Sequence, residues 1–162
     1  MTQGEAATAR HDRRSIILVV RRTIEANAER LFAAWTQPDE LVRWWGPSGI
    51  TCPKAEIDLR VGGTYRIANE QPGKPLLWIV GEFERIEPPR MLVYSWRLEP
   101  GSGNTERVSV RFVPKDAATE VIITHERIAN ETDRDEHEQG WFGCLDGLAA
   151  LVEGGHTNEA SA

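Results

Sequence analysis

The chain has 162 residues, 40% hydrophobic and 27% charged, the size of one domain that buries a core without disulfide or metal staples. With 19 Lys+Arg against 25 Asp+Glu the net charge is −6, which argues against a basic nucleic-acid binder. The apolar run Ile16 to Val20 is far short of the roughly 18 residues of a membrane span. No apolar segment of signal-peptide length follows Arg10, Arg13 and Arg14, so a cytoplasmic location is expected. Cys52 and Cys144 make no CxxC pair and read as reduced thiols. The aromatic set is unusual in kind, with 6 Trp against 2 Tyr and 4 Phe.

Residues 1–14 and 154–162 are polar, small and aperiodic, and are expected to be disordered tails around a single domain at 15–153. Residues 16–23 are β-branched and predict a strand. Asn27 is placed to cap a short helix over 28–35, with Leu31, Phe32 and Trp35 at helical spacing. Pro38 suits the first position of a second short helix, 38–44. Six strands are predicted next, at 51–59, 64–69, 76–86, 91–98, 106–113 and 120–127, separated by Gly- and Pro-bearing turns. Their short connections favour antiparallel pairing. A last helix spans 133–153, with Thr132 as its cap and Asp135 completing a capping box. Trp141, Leu145, Leu148 and Val152 form one stripe down it, and Gly154-Gly155 stops it. To bury that stripe, about seven strands must curve around one helix, which defines an α+β, helix-grip architecture.

Five strings in this order resemble the activator-of-heat-shock-protein-ATPase-like family of the START/SRPBCC helix-grip superfamily. They are R-x-I-x-A-x-A-E-R-L-F-x-A-W-T from Arg22, L-V-R-W-W-G-P from Leu41 and D-L-R-V-G-G-T-Y-R from Asp58. The other two are G-E-F-E-R-I-E-P-P-R-M-L-V-Y-S-W from Gly81 and an H-E…G-W…L-D-x-L string from His137 to Leu148. The resemblance covers about residues 16–153 and implies a pocket between sheet and helix, open at one end. It does not fix a function, because the superfamily hosts carriers, receptors and cyclases.

Strand alternation nominates the residues facing that space. Val121, Ile123 and His125 share one row, Val108, Val110 and Phe112 another, and Leu92, Tyr94 and Trp96 a third. Tyr65 and Ile67 form a fourth. The parity of 76–86 is open, since Trp78, Val80 and Glu82 oppose Ile79, Gly81 and Phe83. With helix residues added, the candidate ligand-binding set is Trp44, Tyr65, Trp78, Tyr94, Trp96, Phe112, Ile123, His125, His137, Trp141 and Leu145. Each has a plainer reading as core. His125 in an apolar row, Glu82 and Tyr94 are the candidates for proton transfer.

Motif chemistry is sparse. Position 141 is Trp, so there is no H-E-x-x-H string, and His11, His125, His137 and His156 look scattered; no metal is expected. Gly101-Ser102-Gly103 is a turn between strands, there is no G-x-S-x-G elbow, and no cofactor is expected. The first reading is a module binding a small hydrophobic or amphipathic molecule. Alternatives are a cyclase-, dehydratase- or hydrolase-like enzyme using the same cavity, and a co-chaperone-like regulator of a heat-shock ATPase, disfavoured for a lone domain. An exposed Trp44-Trp45-Gly46-Pro47 loop is a candidate homodimer contact.

Overall fold

The computed structural model describes residues 15–46, 49–101 and 104–154. Both expected tails, with His11 and His156, lie outside these residues except at Gly154.

The β-branched N-terminal run forms β1 (Ile16–Ile24), with Leu18, Val20 and Ile24 buried on one face. Two short helices follow, α1 (Ala28–Thr36) and α2 (Pro38–Trp44). Asn27 caps α1 as expected, its Oδ1 accepting from the Arg30 N–H at 2.7 Å. Six more strands are β2 (Ala55–Ile57), β3 (Thr64–Asn69), β4 (Leu77–Glu87), β5 (Met91–Glu99), β6 (Glu106–Lys115) and β7 (Ala118–Ile128). All pairings are antiparallel, and the sheet order is β1-β7-β6-β5-β4-β3-β2. The α1–α2 segment carries the chain from β1 at one edge to β2 at the other.

The chain ends in α3 (Glu131–Ala149), whose last turn widens into a π-helical turn at Ala150–Gly154. Trp141, Leu145 and Leu148 are buried along one face, flanked by Cys144 and Ala149. Val152 packs against the same core, partly buried. Arg22 of β1 pairs with Asp146 of α3. Gly147 lets α3 lie against the end of α2, because a Cβ there would stand 2.4 Å from the Trp44 carbonyl oxygen.

Two local expectations need correction. The strand expected over 51–59 is reduced to Ala55–Ile57 plus an isolated bridge between Thr51 and Glu70. Pro53 in its middle has no N–H for a ladder. The cap of α3 is Asn130, not Thr132: its Oδ1 accepts from the Asp133 N–H at 2.8 Å. The capping signal lies two residues earlier than the sequence reading placed it.

The open parity of β4 is settled by packing: Val80 is also buried, but only Ile79 and Phe83 join the central core. Ile79 and Phe83 face the core, while Glu82 is exposed and Trp78 lies under the Arg66 guanidinium, 4.0 Å from its ring centre. Tyr65 crosses the inward side of Gly81 and donates its hydroxyl to the Ser95 carbonyl at 2.6 Å. A Cβ at Gly81 would come within 2.7 Å of the Tyr65 ring, so the glycine makes room for that crossing.

Candidate functional site

The core has a filled end, between the sheet and the two short helices, and an open end, between the sheet and α3. At the filled end, Trp35, Tyr65, Phe83 and Tyr94 leave a void of only about 20 Å³. Trp35 donates its indole N–H to the Tyr94 hydroxyl at 3.3 Å, and Tyr65, Phe83 and Tyr94 meet ring to ring. Burial drives both tyrosine hydroxyls far above their ordinary pKa of 10. At the open end, Trp45, Ile50, Ile79, Trp96, Leu98 and Trp141 wall a cavity of about 270 Å³. Asn69, Leu77, Glu136, His137, Gly140 and Cys144 complete its lining. A second depression of about 340 Å³ shares Ile50, Asn69 and Leu77 with it, beside the half-exposed Leu76.

Behind the cavity lies a polar cluster. Trp96 of β5 is the cross-strand partner of Glu106, the first residue of β6. Alternation puts Glu106 in the inward row of Val108, Val110 and Phe112, diagonal to His125 on β7. His137, one turn before Trp141 on α3, lays its ring over that of His125, with centroids 4.4 Å apart and planes 12° from parallel. Both imidazoles direct Nε2 at the same carboxylate oxygen, Glu106 Oε1, His125 at 2.6 Å and His137 at 3.0 Å. The Trp141 indole N–H is 3.0 Å from His125 Nδ1.

These contacts fix the protons. An indole N–H only donates, so His125 Nδ1 is a lone pair and the neutral ring carries its hydrogen on Nε2. That hydrogen is donated to Glu106. Burial holds the His125 imidazole below its usual 6.5, outweighing the pull of the carboxylate. Burial raises the Glu106 carboxyl, but hydrogen bonds from the two imidazoles outweigh it, so the group stays a carboxylate with its pKa below the usual 4.5. His137 then donates from Nε2 as well, and in its neutral form Nδ1 is left as an acceptor. The Trp96 ring meets both imidazoles at a steep angle, with centroids 4.9 and 4.8 Å away. Its Nε1 is buried with no acceptor among the described residues.

Two histidines and a carboxylate with donor atoms within 4.8 Å of one another also have metal-ligand chemistry. The sequence reading of these histidines as scattered is therefore corrected: β7 and α3 bring two of them together. Yet ligation through His125 Nε2 would drive its proton to Nδ1, against the Trp141 N–H. The donor set suits a carboxylate clasped by two N–H groups better than a cation.

Of the expected site residues, Trp96, His137 and Trp141 line the 270 Å³ cavity. Tyr65 and Tyr94 border the small void instead. Trp44, Phe112, Ile123 and Leu145 are buried in the core and line neither space. Trp78 is on the opposite face of the sheet. His125 has no exposed surface and both ring nitrogens engaged. It supports the site without facing it. As proton-transfer candidates, Glu82 points away from the cavity and Tyr94 is locked in the filled end. Trp44 and Trp45 are both buried, at 2% and 7% exposure, so the exposed tryptophan pair invoked for a homodimer contact does not exist. Sequence reasoning missed Glu106, although its parity with Val108 was available as a signal. It also missed the wall residues Leu98 and Ile50, and left Ile79 open with the parity of its strand.

A seven-stranded antiparallel sheet folded onto a long C-terminal helix defines a helix-grip domain, a fold of ligand-binding and regulatory modules. Residues 25–153 match the family described as Activator of Hsp90 ATPase homolog 1-like protein, and the chain belongs to that family. Solved structures agree. A protein of Chromobacterium violaceum is similar at 26% identity and a TM-score of 0.78, over 85% of this chain and 96% of that one. CalU16 of Micromonospora echinospora is similar at 25% identity and 0.67, over 86% and 76%. The AHSA1 protein of Silicibacter pomeroyi, at 24% identity and 0.73 over 85% and 98%, shares the fold. No functionally curated protein matches the chain. No helix among the described residues is long and apolar enough to cross a membrane.

Proposed function

We propose that the domain binds a small hydrophobic or amphipathic molecule in the 270 Å³ cavity between β4, β5 and α3, without performing chemistry on it. The observation that carries this reading is the contrast between the two ends of the same core. One end is packed to a remnant of about 20 Å³, while the other is walled by tryptophans and aliphatic side chains and left open. Native interiors rarely keep voids much larger than a water molecule, so an apolar opening of this size favours an occupant. The proton-transfer alternative is weakened because His125, Glu82 and Tyr94 all lie off the cavity.

Native mass spectrometry of the purified protein reads any retained molecule directly. Added apolar aromatics should raise the melting temperature following RT ln(1 + [L]/Kd), about 2.7 kcal/mol at a hundredfold excess over Kd. Leu98→Trp, which fills the cavity, should abolish that shift in a folded protein. Trp78→Ala, on the opposite face, should leave it intact. Equal shifts in wild type and Leu98→Trp would place binding elsewhere.

A further inference from the structure

The cavity's polar groups can be accounted for one at a time, and nearly all are taken. The Asn69 amide accepts from the Trp45 indole at 3.1 Å and donates to the Ile67 and Leu77 carbonyls at 3.2 and 3.3 Å. The Trp141 N–H is committed to His125, and the Cys144 thiol to the Gly46 backbone. The Trp96 N–H is buried and has no acceptor among the described residues. Besides that buried N–H, two groups are without a protein partner among the described residues: Nδ1 of His137 and the carboxylate of Glu136 at the rim. In the neutral ring His137 Nδ1 is a lone-pair acceptor, because the contact with Glu106 places the single ring hydrogen on Nε2.

The geometry points to a neutral, hydroxyl-bearing apolar molecule, of the phenol or sterol-alcohol kind, whose O–H donates to His137 Nδ1. This deepens the proposed function and rests on it. The Glu106 contact makes the His137 ring a stronger acceptor and fixes its orientation, as a second-shell carboxylate does for a catalytic or metal-bound imidazole. Trp96, 4.8 Å from the His137 ring between centroids, forms the apolar wall beside that acceptor. Anionic ligands are excluded by charge: Glu136 lines the cavity and the Glu106 carboxylate stands directly behind His137. A ligand carboxylate would bring a third negative charge and no hydrogen to donate. His137 is thus a positioning and selectivity residue.

Three probes sharing one ring system test this by isothermal titration calorimetry on the full chain: 2-naphthol, 2-methylnaphthalene and 2-naphthoate. Naphthol should bind roughly tenfold more tightly than the methyl isostere, the worth of one hydrogen bond to an otherwise unpaired buried acceptor. Naphthoate should bind more weakly than both. His137→Phe should erase the naphthol preference, so that 2-naphthol and 2-methylnaphthalene bind that variant alike, Glu136→Gln should strengthen naphthoate, and Trp78→Ala on the opposite face should leave the wild-type ranking unchanged. Equal binding of naphthol and methylnaphthalene to wild type, a naphthol preference that survives His137→Phe, or naphthoate binding tightest would each overturn the inference and leave the binding reading standing. Binding of none of the three would overturn both. The wild-type ranking needs no variant to fold.

Discussion

The indole N–H of Trp141 lies 3.0 Å from Nδ1 of His125, and this one bond decides where the His125 ring carries its hydrogen. It forces the His125 hydrogen onto Nε2, which meets Glu106 at 2.6 Å. The same oxygen then takes the His137 hydrogen. A helix residue, two adjacent strands and a second helix residue are joined through one carboxylate oxygen.

Removing members of this cluster should therefore cost unequal amounts. Glu106→Gln keeps an amide oxygen for both imidazole N–H groups and loses only charge assistance, about 1 kcal/mol. Glu106→Leu strands two buried N–H donors and should cost about 2–4 kcal/mol. His125→Ala adds a core void and an orphaned Trp141 N–H, for roughly 3–4 kcal/mol. Urea unfolding of the three variants measures the order. Equal losses for Glu106→Gln and Glu106→Leu would show that the carboxylate oxygen is not holding the rings.

Acid should destabilise the fold in two phases. Unfolded His125 titrates near 6.5 and folded His125 lower, so between those values the unfolded chain binds the extra proton. Stability is full above about pH 7 and falls as pH drops from 6.5 towards the folded pKa. Glu106, also depressed, adds its loss only as pH falls from 4.5 through its own folded value. Chemical denaturation between about pH 8 and about pH 2 follows both phases. His125→Leu should abolish the upper one, and a wild-type stability flat from pH 7 to 5 would contradict a neutral, buried His125.

Two glycines of α3 should respond oppositely to alanine. A Cβ on Gly140 meets nothing within 4 Å, so Gly140→Ala gains helix propensity, about 0.5–1 kcal/mol of stability. At Gly147 it would stand 2.4 Å from the Trp44 carbonyl oxygen, and α3 would be pushed off α2 at a cost of about 2 kcal/mol or more. Thermal melts of the pair make the comparison. Because Gly140 also lines the cavity, its variant should alter ligand affinity while the protein itself is stabilised.

Both cysteines should be inert in the folded protein. Burial pushes the Cys144 thiol up to about 12 and raises that of Cys52. Iodoacetamide at pH 8 should label neither in native protein and both in urea, read by mass. Rapid native labelling of Cys144 would mean that the cavity opens far enough to solvate it.

The order of elements, the cap at Asn27, the helix start at Pro38 and the buried stripe of α3 were all legible in the sequence, because each depends on neighbours within a few positions. The helix-grip shape followed, since one apolar stripe and many short strands have few ways to bury each other. His137 and Trp141 could be nominated as inward for the same local reason. Glu106 was not, although alternation already aligned it with Val108. A charged residue at a strand start reads as solvated until its partners, 19 and 31 positions away, are seen. Which end of the core is filled was likewise a tertiary decision. Tyr65, Trp78, Tyr94 and Trp96 are equally large and aromatic in the sequence. Register, the space over Gly81 and the lie of α3 set one pair into packing, one ring on the outer face and one against the cavity. Composition supplies the volume of side chain available, but only three-dimensional packing fixes where that volume falls short.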